Sequence, residues 1–361
     1  MLNRDKIFDS SHSVYVIAEV GSNFDGSLHR AKKLAKLAKE VGADGFKIQN
    51  FQAPKIVSKK GFSDLQISFQ SKWKKPVYEV YKNAEFPRAW LREISDYCNM
   101  IGIDFLASPY DYEAVDLLEK IGICAYKIGS GEIDHLPYLE YISKTNKPII
   151  LSCGASTLDE IKLAVDTIRK NGNNKIVLLQ CVTNYPSFIE DANVLAMKTL
   201  KEKFGVVVGY SDHSIGKKGG GNDPLNGITI PLAAVSLGAK VIEKHFTDDR
   251  FRNGPDHPFA MEPKDFKRMV AGIRAVEKAL GDGHKKVLPS ESETVIIQRR
   301  GLYTTCDILP GEKITEEKYT LLRPAIGLRP LEIELLDKSV ASRHIKAGEV
   351  IRKEDLVVVR A

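Results

Sequence analysis

Eight short runs of β-branched and other apolar residues recur through about the first 280 residues, and a helical pattern follows each of them. The runs are Val14–Gly21, Gly45–Phe51, Asp104–Tyr110, Ala125–Ile133, Pro148–Gly154, Lys175–Val182, Val206–His213 and Val241–Thr247. Eight successive strand and helix repeats are typical of a (β/α)8 barrel, in which a parallel sheet closes on itself inside a ring of helices. The sequence therefore predicts an α/β protein with a TIM barrel, whose functional site lies at the carboxyl ends of the strands.

Amphipathic stripes between the runs agree with helices that pack outside a barrel. In Leu28–Val41 the apolar residues recur at intervals of three and four, and lysines occupy the other face. Similar stripes run through Ala89–Ile101, Tyr112–Ile121, Leu158–Ile168 and Phe266–Leu280. The long segment Gln52–Tyr78 has no clear pattern, and we interpret it as a loop that forms a lid over the functional face.

The pattern changes after Gly281, where short strands alternate with turns. We predict a catalytic barrel over residues 1–282, a linker over 283–299 and a second domain over 300–361. A weak internal repeat, LPGEKITEEKYTLLR and IKAGEVIRKEDLVVV, indicates two related turn-containing elements in the second domain. A domain of about 60 residues has a marginal core of its own.

Composition is typical of an ordinary enzyme: 43% of the 361 residues are hydrophobic and 28% are charged. No run reaches the roughly 18–20 apolar residues of a membrane span, and the N-terminus lacks the apolar stretch of a signal peptide, so we expect a cytoplasmic protein. The five cysteines show no CxxC spacing, which favours reduced thiols. The net charge of +6 is spread over helix faces, so nucleic acid is not implied, whereas an anionic small substrate is compatible.

Polar side chains gather where apolar ones would be expected, at the ends of the runs. They are Glu19, Lys47, Gln49, Ser108, Lys127, Ser130, Ser152, Gln180, Ser211, His213, Glu243 and His245. Alternate residues of a barrel strand face the interior, so most of these side chains should point into one cavity. Buried ammonium groups need anionic partners. Lys47 and Lys127 therefore indicate either an anion site or salt bridges to Glu19 or Glu132.

Several segments together resemble the sialic acid synthase family: IAEVGSNFDGS, FKIQNF, AYKIGSGEI, LSCGAST, NYPS, GYSDHSIG, VIEKHFT and NGPDH. The segment LLRPAIGLRP resembles the antifreeze-like (SAF, β-clip type) domain that follows the barrel in those synthases. The resemblance implies a transferase that condenses phosphoenolpyruvate (PEP) with an open-chain N-acyl hexosamine. The product is a nine-carbon 2-keto sugar acid of sialic or legionaminic type, and phosphate leaves with cleavage of the C–O bond of PEP. The acceptor is N-acetylmannosamine or a related 2,4-diacetamido-6-deoxy hexose.

The resemblance also assigns roles. The catalytic residues it implies are Glu19, His213 and His245. For PEP binding it implies Lys47, Ser108, Lys127, Ser130, Ser152, Gly154 and Ser211. For sugar binding it implies Gln49, Asn184, Tyr185, Asp256 and Arg323, the last of these reaching the site from the other subunit of a domain-swapped homodimer.

A divalent metal is the implied cofactor, with Mn²⁺ preferred to Mg²⁺ or Co²⁺. His213 and His245 follow adjacent strands, so their imidazoles can converge on one ion. Two nitrogens with water make an open site, which suits Mn²⁺ better than a four-ligand structural zinc. The simpler alternative is that both histidines are hydrogen-bonded residues at the barrel mouth. Glu243 is expected to orient a metal ligand or to pair with a lysine.

Two other functions stay open at this point: a 3-deoxy sugar acid synthase that uses a phosphorylated aldose, and a non-enzymatic carbohydrate-binding or ice-binding scaffold. The first needs a second phosphate site, and the second predicts Thr-rich repeats. Gln180 and Val182 stand where many bacterial family members carry His and Thr, and Cys153 stands where Thr is common. The glycine-rich segment Lys217–Gly227 reads as an insertion, which we expect to be a mobile loop.

Overall fold

A computed structural model describes residues 13–65, 73 and 75–359 of the chain. Two compact units emerge, Met1–Gly281 and Asp282–Ala361. In the first, eight parallel strands pair in sequence order and the eighth returns to the first, which closes a barrel. The strands are β1 (Tyr15–Glu19), β2 (Gly45–Asn50), β3 (Asp104–Pro109), β4 (Tyr126–Ile128), β5 (Ile149–Ser152), β6 (Ile176–Cys181), β7 (Val207–Asp212) and β8 (Val241–His245). The predicted TIM barrel is confirmed.

Helices surround the barrel, and most of them bury an apolar stripe against the outer faces of the strands. The helices of this unit are α1 (Leu28–Glu40), α2 (Ala53–Ile56), α3 (Lys59–Asp64), α4 (Val77–Ala84), α5 (Leu91–Ile101), α6 (Tyr112–Ile121), α7 (Leu136–Ser143), α8 (Leu158–Lys170), α9 (Ala196–Phe204), α10 (Thr229–Ser236) and α11 (Pro263–Leu280). In α1 the buried stripe comprises Ala31, Leu34, Ala35 and Ala38, as the periodicity predicts. Helix α10 is apolar on most sides and lies against α11, so it shows no stripe.

The segment predicted as an unpatterned lid, Gln52–Tyr78, contains α2, α3 and the beginning of α4. The expectation of an irregular loop is therefore wrong in part, because helices of four and six residues are too short to show a hydrophobic period. Residues 66–72 and 74 of this segment lie outside the described residues.

The interior of the barrel is apolar at the amino ends of the strands. Its buried cluster comprises Tyr15, Ile17, Leu106, Cys124, Ala125, Ile150, Val177, Leu179 and Val241. Two residues further along several strands, the inward positions are polar: Ile17 is followed by Glu19, Leu106 by Ser108 and Ile150 by Ser152. The apolar layer thus forms the floor of a polar cavity at the carboxyl ends.

The second unit contains helices α12 (Ser292–Gln298) and α13 (Glu334–Asp337), the antiparallel pair β9 (Gly301–Thr304) and β10 (Tyr319–Leu322), and the antiparallel pair β11 (Ser339–Ala341) and β12 (Leu356–Val358). Helix α12 lies within the segment 283–299 that we expected to be a linker. Each copy of the internal repeat supplies a short 3₁₀ turn that leads into a strand, β10 in the first copy and β12 in the second. A separate core forms here from Leu302, Ile308, Ile314, Leu328, Leu336, Ala341, Ile345 and Ile351.

Within the described ranges, no helix combines the length and the apolar character that a bilayer crossing requires.

Candidate active site

Two lysines and two carboxylates meet at the carboxyl ends of the strands. Lys47 Nζ lies 2.5 Å from Glu19 Oε2 and 3.7 Å from Glu243 Oε2. Lys127 Nζ lies 3.5 Å from Glu243 Oε1. All four side chains are almost completely buried, since none of these residues is more than 4% exposed. The partners of the lysines are thus Glu19 and Glu243 rather than Glu132, and the four groups form one charge cluster.

Burial and charge act against each other in this cluster. Burial raises the pKa of Glu19 to about 7, although Lys47 opposes the shift and Glu243 adds to it. Burial would also raise the pKa of Glu243, but Lys127, Lys47 and a 2.9 Å hydrogen bond from Ser211 hold it below its ordinary value. Burial lowers the pKa of Lys127, whereas Glu19 and Glu243 outweigh burial and raise that of Lys47. Glu243 is the fixed counter-charge, and Glu19 is the group that can exchange a proton near neutral pH.

Hydroxyl groups surround the ammonium groups. Lys47 donates to Ser108 Oγ at 3.1 Å, and Lys127 donates to Ser152 Oγ at 2.7 Å. Each lysine therefore stands beside a hydroxyl that can also bind an oxyanion.

Ser130, another hydroxyl of the site, is in contact with Gly154 and Cys181. The backbone N–H of Gly154 donates to Ser130 Oγ at 2.9 Å, and Ser130 Oγ lies 3.2 Å from Cys181 Sγ. A Cβ at position 154 would lie 2.1 Å from Thr183 Oγ1, so only glycine fits here. This close approach packs the backbone of the loop after β5 against the hydroxyl and the thiol.

Gln180 does not belong to the interior ring, so our placement of it there is wrong. Its Nε2 donates to the carbonyl of Ala192 at 3.3 Å, and Cys181 lines the cavity instead. The reason is the alternation of the strand: Leu179 faces the barrel interior, so residue 181 faces it and residue 180 does not.

The two histidines lie side by side at the mouth, with ring centroids 5.5 Å apart. His213 Nδ1 lies 2.7 Å from the carbonyl oxygen of Val182. Because a carbonyl only accepts, Nδ1 carries the hydrogen and Nε2 of a neutral ring keeps its lone pair. Burial lowers the pKa of His213 to about 4 and that of His245 well below its ordinary value. Both rings are therefore neutral, which is the form that binds metal ions.

His245 differs from His213 in one respect: its Nδ1 is buried without a hydrogen-bond partner among the described residues. Over those same residues, no group of three or more His, Cys, Asp or Glu side chains is arranged to hold a metal ion. A metal bound here would take two nitrogens from the protein and its other ligands from water or substrate.

Two adjoining cavities open above the charge cluster. The inner one, of about 50 Å³, is lined by the charge cluster, by Ser108, Ser152 and Ser211, and by His213. The outer one is much larger, at about 460 Å³. Both share the lining residues Gln49, Tyr110, Gly129, Ser130, Tyr185 and His245. Gln49 Nε2 donates to Glu19 Oε1 at 3.1 Å and so links the cluster to the outer cavity.

Aromatic and aliphatic side chains dominate the outer cavity. Its aromatic lining residues are Phe51, Phe62, Trp73, Tyr81, Tyr110, Tyr185 and Phe259. Phe62 and Trp73 belong to the lid segment, which also supplies Ile56 and Val57. Asp256 also lines it and accepts hydrogen bonds from Ser22 N at 2.8 Å and from Ser22 Oγ at 2.9 Å. Burial raises the pKa of Asp256 despite these bonds. Tyr110 was not among the predicted site residues, although the alternation of side chains along the strand from Ser108 places it on the inward side.

Not every predicted site residue lies at the cavities. Asn184 is exposed, and its neighbours Thr183 and Tyr185 line the outer cavity in its place. Arg323 is an exposed residue of the second unit. These two positions therefore gain no support from the geometry of the barrel.

A buried carboxylate organises the end of the glycine-rich segment Lys217–Gly227, whose mobility stays a prediction. Asp223 is 2% exposed and accepts hydrogen bonds from the backbone N–H groups of Leu225, Gly227 and Thr229. It also accepts from Thr229 Oγ1 at 2.6 Å. An Asp that caps successive backbone N–H groups fixes a turn, and glycine content alone does not reveal it.

Comparison with known proteins gives the family of this chain. The NeuB family profile matches residues 34–285, and the SAF domain profile matches residues 299–358. The chain belongs to the NeuB family. This bears out the resemblance that the sequence motifs carry, including the appended SAF domain.

Relatives of this NeuB-family chain are named for different products. The N,N'-diacetyllegionaminic acid synthase of Campylobacter jejuni is 40% identical over 94% of this chain and 98% of that protein. The pseudaminic acid synthase of the same organism is 36% identical over 96% of this chain and 98% of that protein. A crystal structure of N-acetylneuraminic acid (sialic acid) synthetase from Leptospira borgpetersenii has a TM-score of 0.68 at 32% identity, over 79% of this chain and 90% of that one.

The charge cluster of this NeuB-family barrel predicts a stability effect. Glu243→Gln removes a counter-charge of two buried lysines, and breaking a buried ion pair costs about 3 kcal/mol or more of unfolding free energy. Inorganic phosphate should recover more stability in this variant than in the wild type, because an anion can replace the lost carboxylate. Urea unfolding with and without phosphate measures both effects. The control is Glu132→Gln, at a partly buried position that lines the outer cavity. If phosphate stabilised both variants equally, the anion site would be contradicted.

Proposed function

We propose that this protein condenses PEP with an open-chain N-acyl hexosamine to give a nine-carbon 2-keto sugar acid and phosphate. The observation that carries the proposal is a small cavity with two buried lysines that opens, past Gln49 and His245, into a larger cavity with aromatic walls. The first suits a compact polyanion and the second suits a sugar with acyl groups. Membership of the NeuB family supports the same reaction.

PEP would occupy the inner cavity. Lys47 and Lys127 neutralise its phosphate and carboxylate, and hydroxyls complete the set of polar partners. The hydroxyls are those of Ser108, Ser130, Ser152 and Ser211. Gly154, predicted for PEP binding, lines neither cavity, and its backbone N–H orients the Ser130 hydroxyl. Because the lysine side chains fill part of the cavity, we expect them to turn from Glu19 and Glu243 toward the substrate when PEP enters.

Glu19 would serve the chemical step. As C3 of PEP attacks the aldehyde carbon, a C–C bond forms, the aldehyde oxygen takes the carbonyl electron pair and then a proton from water, and C2 becomes cationic. The Glu19 carboxylate stabilises that charge and accepts a proton from the water whose oxygen bonds to C2. The C2–O bond to the phosphoryl group then breaks, and phosphate leaves with the electron pair. The new hydroxyl at C2 loses its proton to become the keto group.

A divalent metal, with Mn²⁺ preferred and Mg²⁺ or Co²⁺ as alternatives, would be held by His213 and His245. The fit rests on two neutral, buried imidazoles, one of which has a buried nitrogen without a hydrogen-bond partner among the described residues. When bound, the ion supplies Lewis-acid polarisation of the acceptor carbonyl. The hydrogen bond from His213 to the Val182 carbonyl fixes the ring so that Nε2 is the ligating atom.

Sugar recognition would use Gln49, Tyr185 and Asp256, which line the outer cavity. Asn184, implied by the family resemblance, is an exposed neighbour of Tyr185. Arg323 would come from the second subunit of a domain-swapped homodimer, near the N-acyl group. Its exposure within its own unit is compatible with that role. Because relatives are named for three kinds of product, the acceptor can be N-acetylmannosamine or a 2,4-diacetamido-6-deoxy hexose.

A synthase that uses a phosphorylated aldose is not favoured. It would need a second set of cationic groups near the outer cavity. In the described part of the chain, the residues that line this cavity include no lysine or arginine, whereas Glu132 and Asp256 add negative charge. Such a surface repels a second phosphate group.

A cytoplasmic location completes the proposal. All five cysteines are unpaired, and Cys306 is exposed. An exposed free thiol is typical of a reducing compartment, and PEP is an intracellular metabolite.

The direct test is phosphate release from PEP with Mn²⁺ and a panel of acceptors: N-acetylmannosamine, 2,4-diacetamido-6-deoxy hexoses and phosphorylated aldoses. We expect phosphate release with at least one N-acyl sugar, and we expect a chelator to abolish it.

The metal site has its own variant. His245→Ala should abolish this turnover and keep the thermal unfolding midpoint within a few degrees of wild type. Turnover only with a phosphorylated aldose would overturn the function, and full activity of the metal-stripped enzyme would overturn the metal site.

The role of Arg323 has a separate prediction. Arg323→Ala should raise the KM for the sugar about tenfold and leave the KM for PEP within twofold, because the guanidinium would contact only the acyl sugar. Arg329→Ala, another exposed arginine of the second unit, is the matched control. Equal changes in both KM values, or none in either, would remove Arg323 from the site.

A further inference from the structure

His257 is completely buried and bridges two loops, yet it lines neither cavity. Its Nδ1 lies 2.8 Å from Thr247 Oγ1, and its Nε2 lies 2.8 Å from Asp25 Oδ1. Because a carboxylate only accepts, Nε2 carries a hydrogen and donates it to Asp25. The imidazole therefore connects the loop after β1 with the segment after β8 through a charge-assisted hydrogen bond.

Asp25 is itself held firmly. Its Oδ2 lies 3.0 Å from Arg30 Nε and 2.7 Å from Arg252 Nη2. Arg30 is buried and also pairs with Asp248, next to Thr247. The partners of His257 thus belong to an ion-pair network that joins the two loops.

The residues beside His257 face the acceptor cavity. Asp256, which precedes it, accepts both hydrogen bonds from Ser22 and lines the cavity. Phe259, two residues later, lies 4.9 Å from the His245 ring and 5.2 Å from the Tyr185 ring, centroid to centroid. The loop between β8 and α11 therefore turns around the buried imidazole and exposes Pro255 and Asp256 on one side of it, and Phe259 on the other, to the cavity.

The same loop passes the ring very closely. A Cβ at Gly254 would lie 2.7 Å from His257 Cδ2, so no larger residue fits there while the ring keeps its position. The imidazole and the backbone around it are thus fitted to one another, and a shift of the ring would move Asp256.

We infer that His257 is a positioning residue for the acceptor: by bridging Thr247 and Asp25 it holds Asp256 and Phe259 against the sugar, and it contacts neither substrate. The inference rests on the proposed function, because it assigns the outer cavity to the sugar. PEP binding depends on Lys47 and Lys127 in the inner cavity, whose walls do not include Asp256 or Phe259. The two substrates should therefore respond differently when His257 is changed.

The test measures both KM values in His257→Ala and His257→Gln. We expect His257→Ala to raise the KM for the sugar about tenfold and to leave the KM for PEP within twofold. His257→Gln, whose side-chain amide can still donate to Asp25, should recover at least half of the loss on a logarithmic scale. His284→Ala, at an exposed position of the second unit, is the matched control and should be unchanged.

Asp25→Asn guards against a folding failure of His257→Ala. The Asn side chain has the shape of Asp and can still accept the hydrogen bond from His257, but without the charge that strengthens it. We expect this variant also to raise the KM for the sugar more than the KM for PEP. Equal changes in both KM values, no change in either, or a Gln variant as impaired as the Ala variant would overturn the positioning role. If the wild type showed no turnover with any N-acyl sugar, the proposed function itself would be overturned, which is a different result.

Discussion

The charge cluster of Glu19, Lys47, Lys127 and Glu243 is the interaction on which the rest of the site depends. Its members stand on β1, β2, β4 and β8, so only a closed barrel brings them together. Each charge would be costly to bury alone, and each is tolerated because the opposite charges are buried with it. Closure of the barrel and neutralisation of the cluster therefore support one another, and in the proposed function the two buried ammonium groups receive the anion.

The inner cavity is polar and the outer cavity is largely aromatic. Gln49 and His245 line both of them, so in the proposed condensation a substrate in one cavity would meet its partner at these side chains. Glu19 lies below this border, with its pKa near neutrality. A nucleophilic carbon held by the lysines and an electrophilic carbon held above it would thus react beside a group that can accept a proton, in surroundings that exclude most water.

Much of this arrangement could be predicted from the sequence because barrel strands follow a strict alternation. The inward positions of Glu19, Ser108 and Ser152 follow from the apolar residues two places earlier. Gln180 was predicted to face the interior because its side chain is polar, whereas the alternation places Cys181 there. Loops were harder: the cap formed by Asp223 depends on contacts that have no local period.

The network around His257 shows the same limit. Asp25 and His257 are 232 residues apart in the chain, and neither lies on a strand end, so no pattern in the sequence connects them. The short helices of the lid segment were missed for a different reason, since four to six residues do not complete enough turns to show an amphipathic stripe. Sequence periodicity therefore recovers what regular elements impose, whereas side-chain bridges between loops require the folded structure.

The most direct measurement is the affinity of PEP alone, by titration calorimetry, for the wild type and for Lys127→Met. Methionine keeps most of the length of the side chain and removes its charge, so the loss of a charged hydrogen bond should weaken PEP binding by about 2 kcal/mol, or about thirtyfold. The account predicts that loss together with an unchanged fold by circular dichroism. PEP affinity that is equal in the two proteins would contradict the assignment of the charge cluster as the anion site.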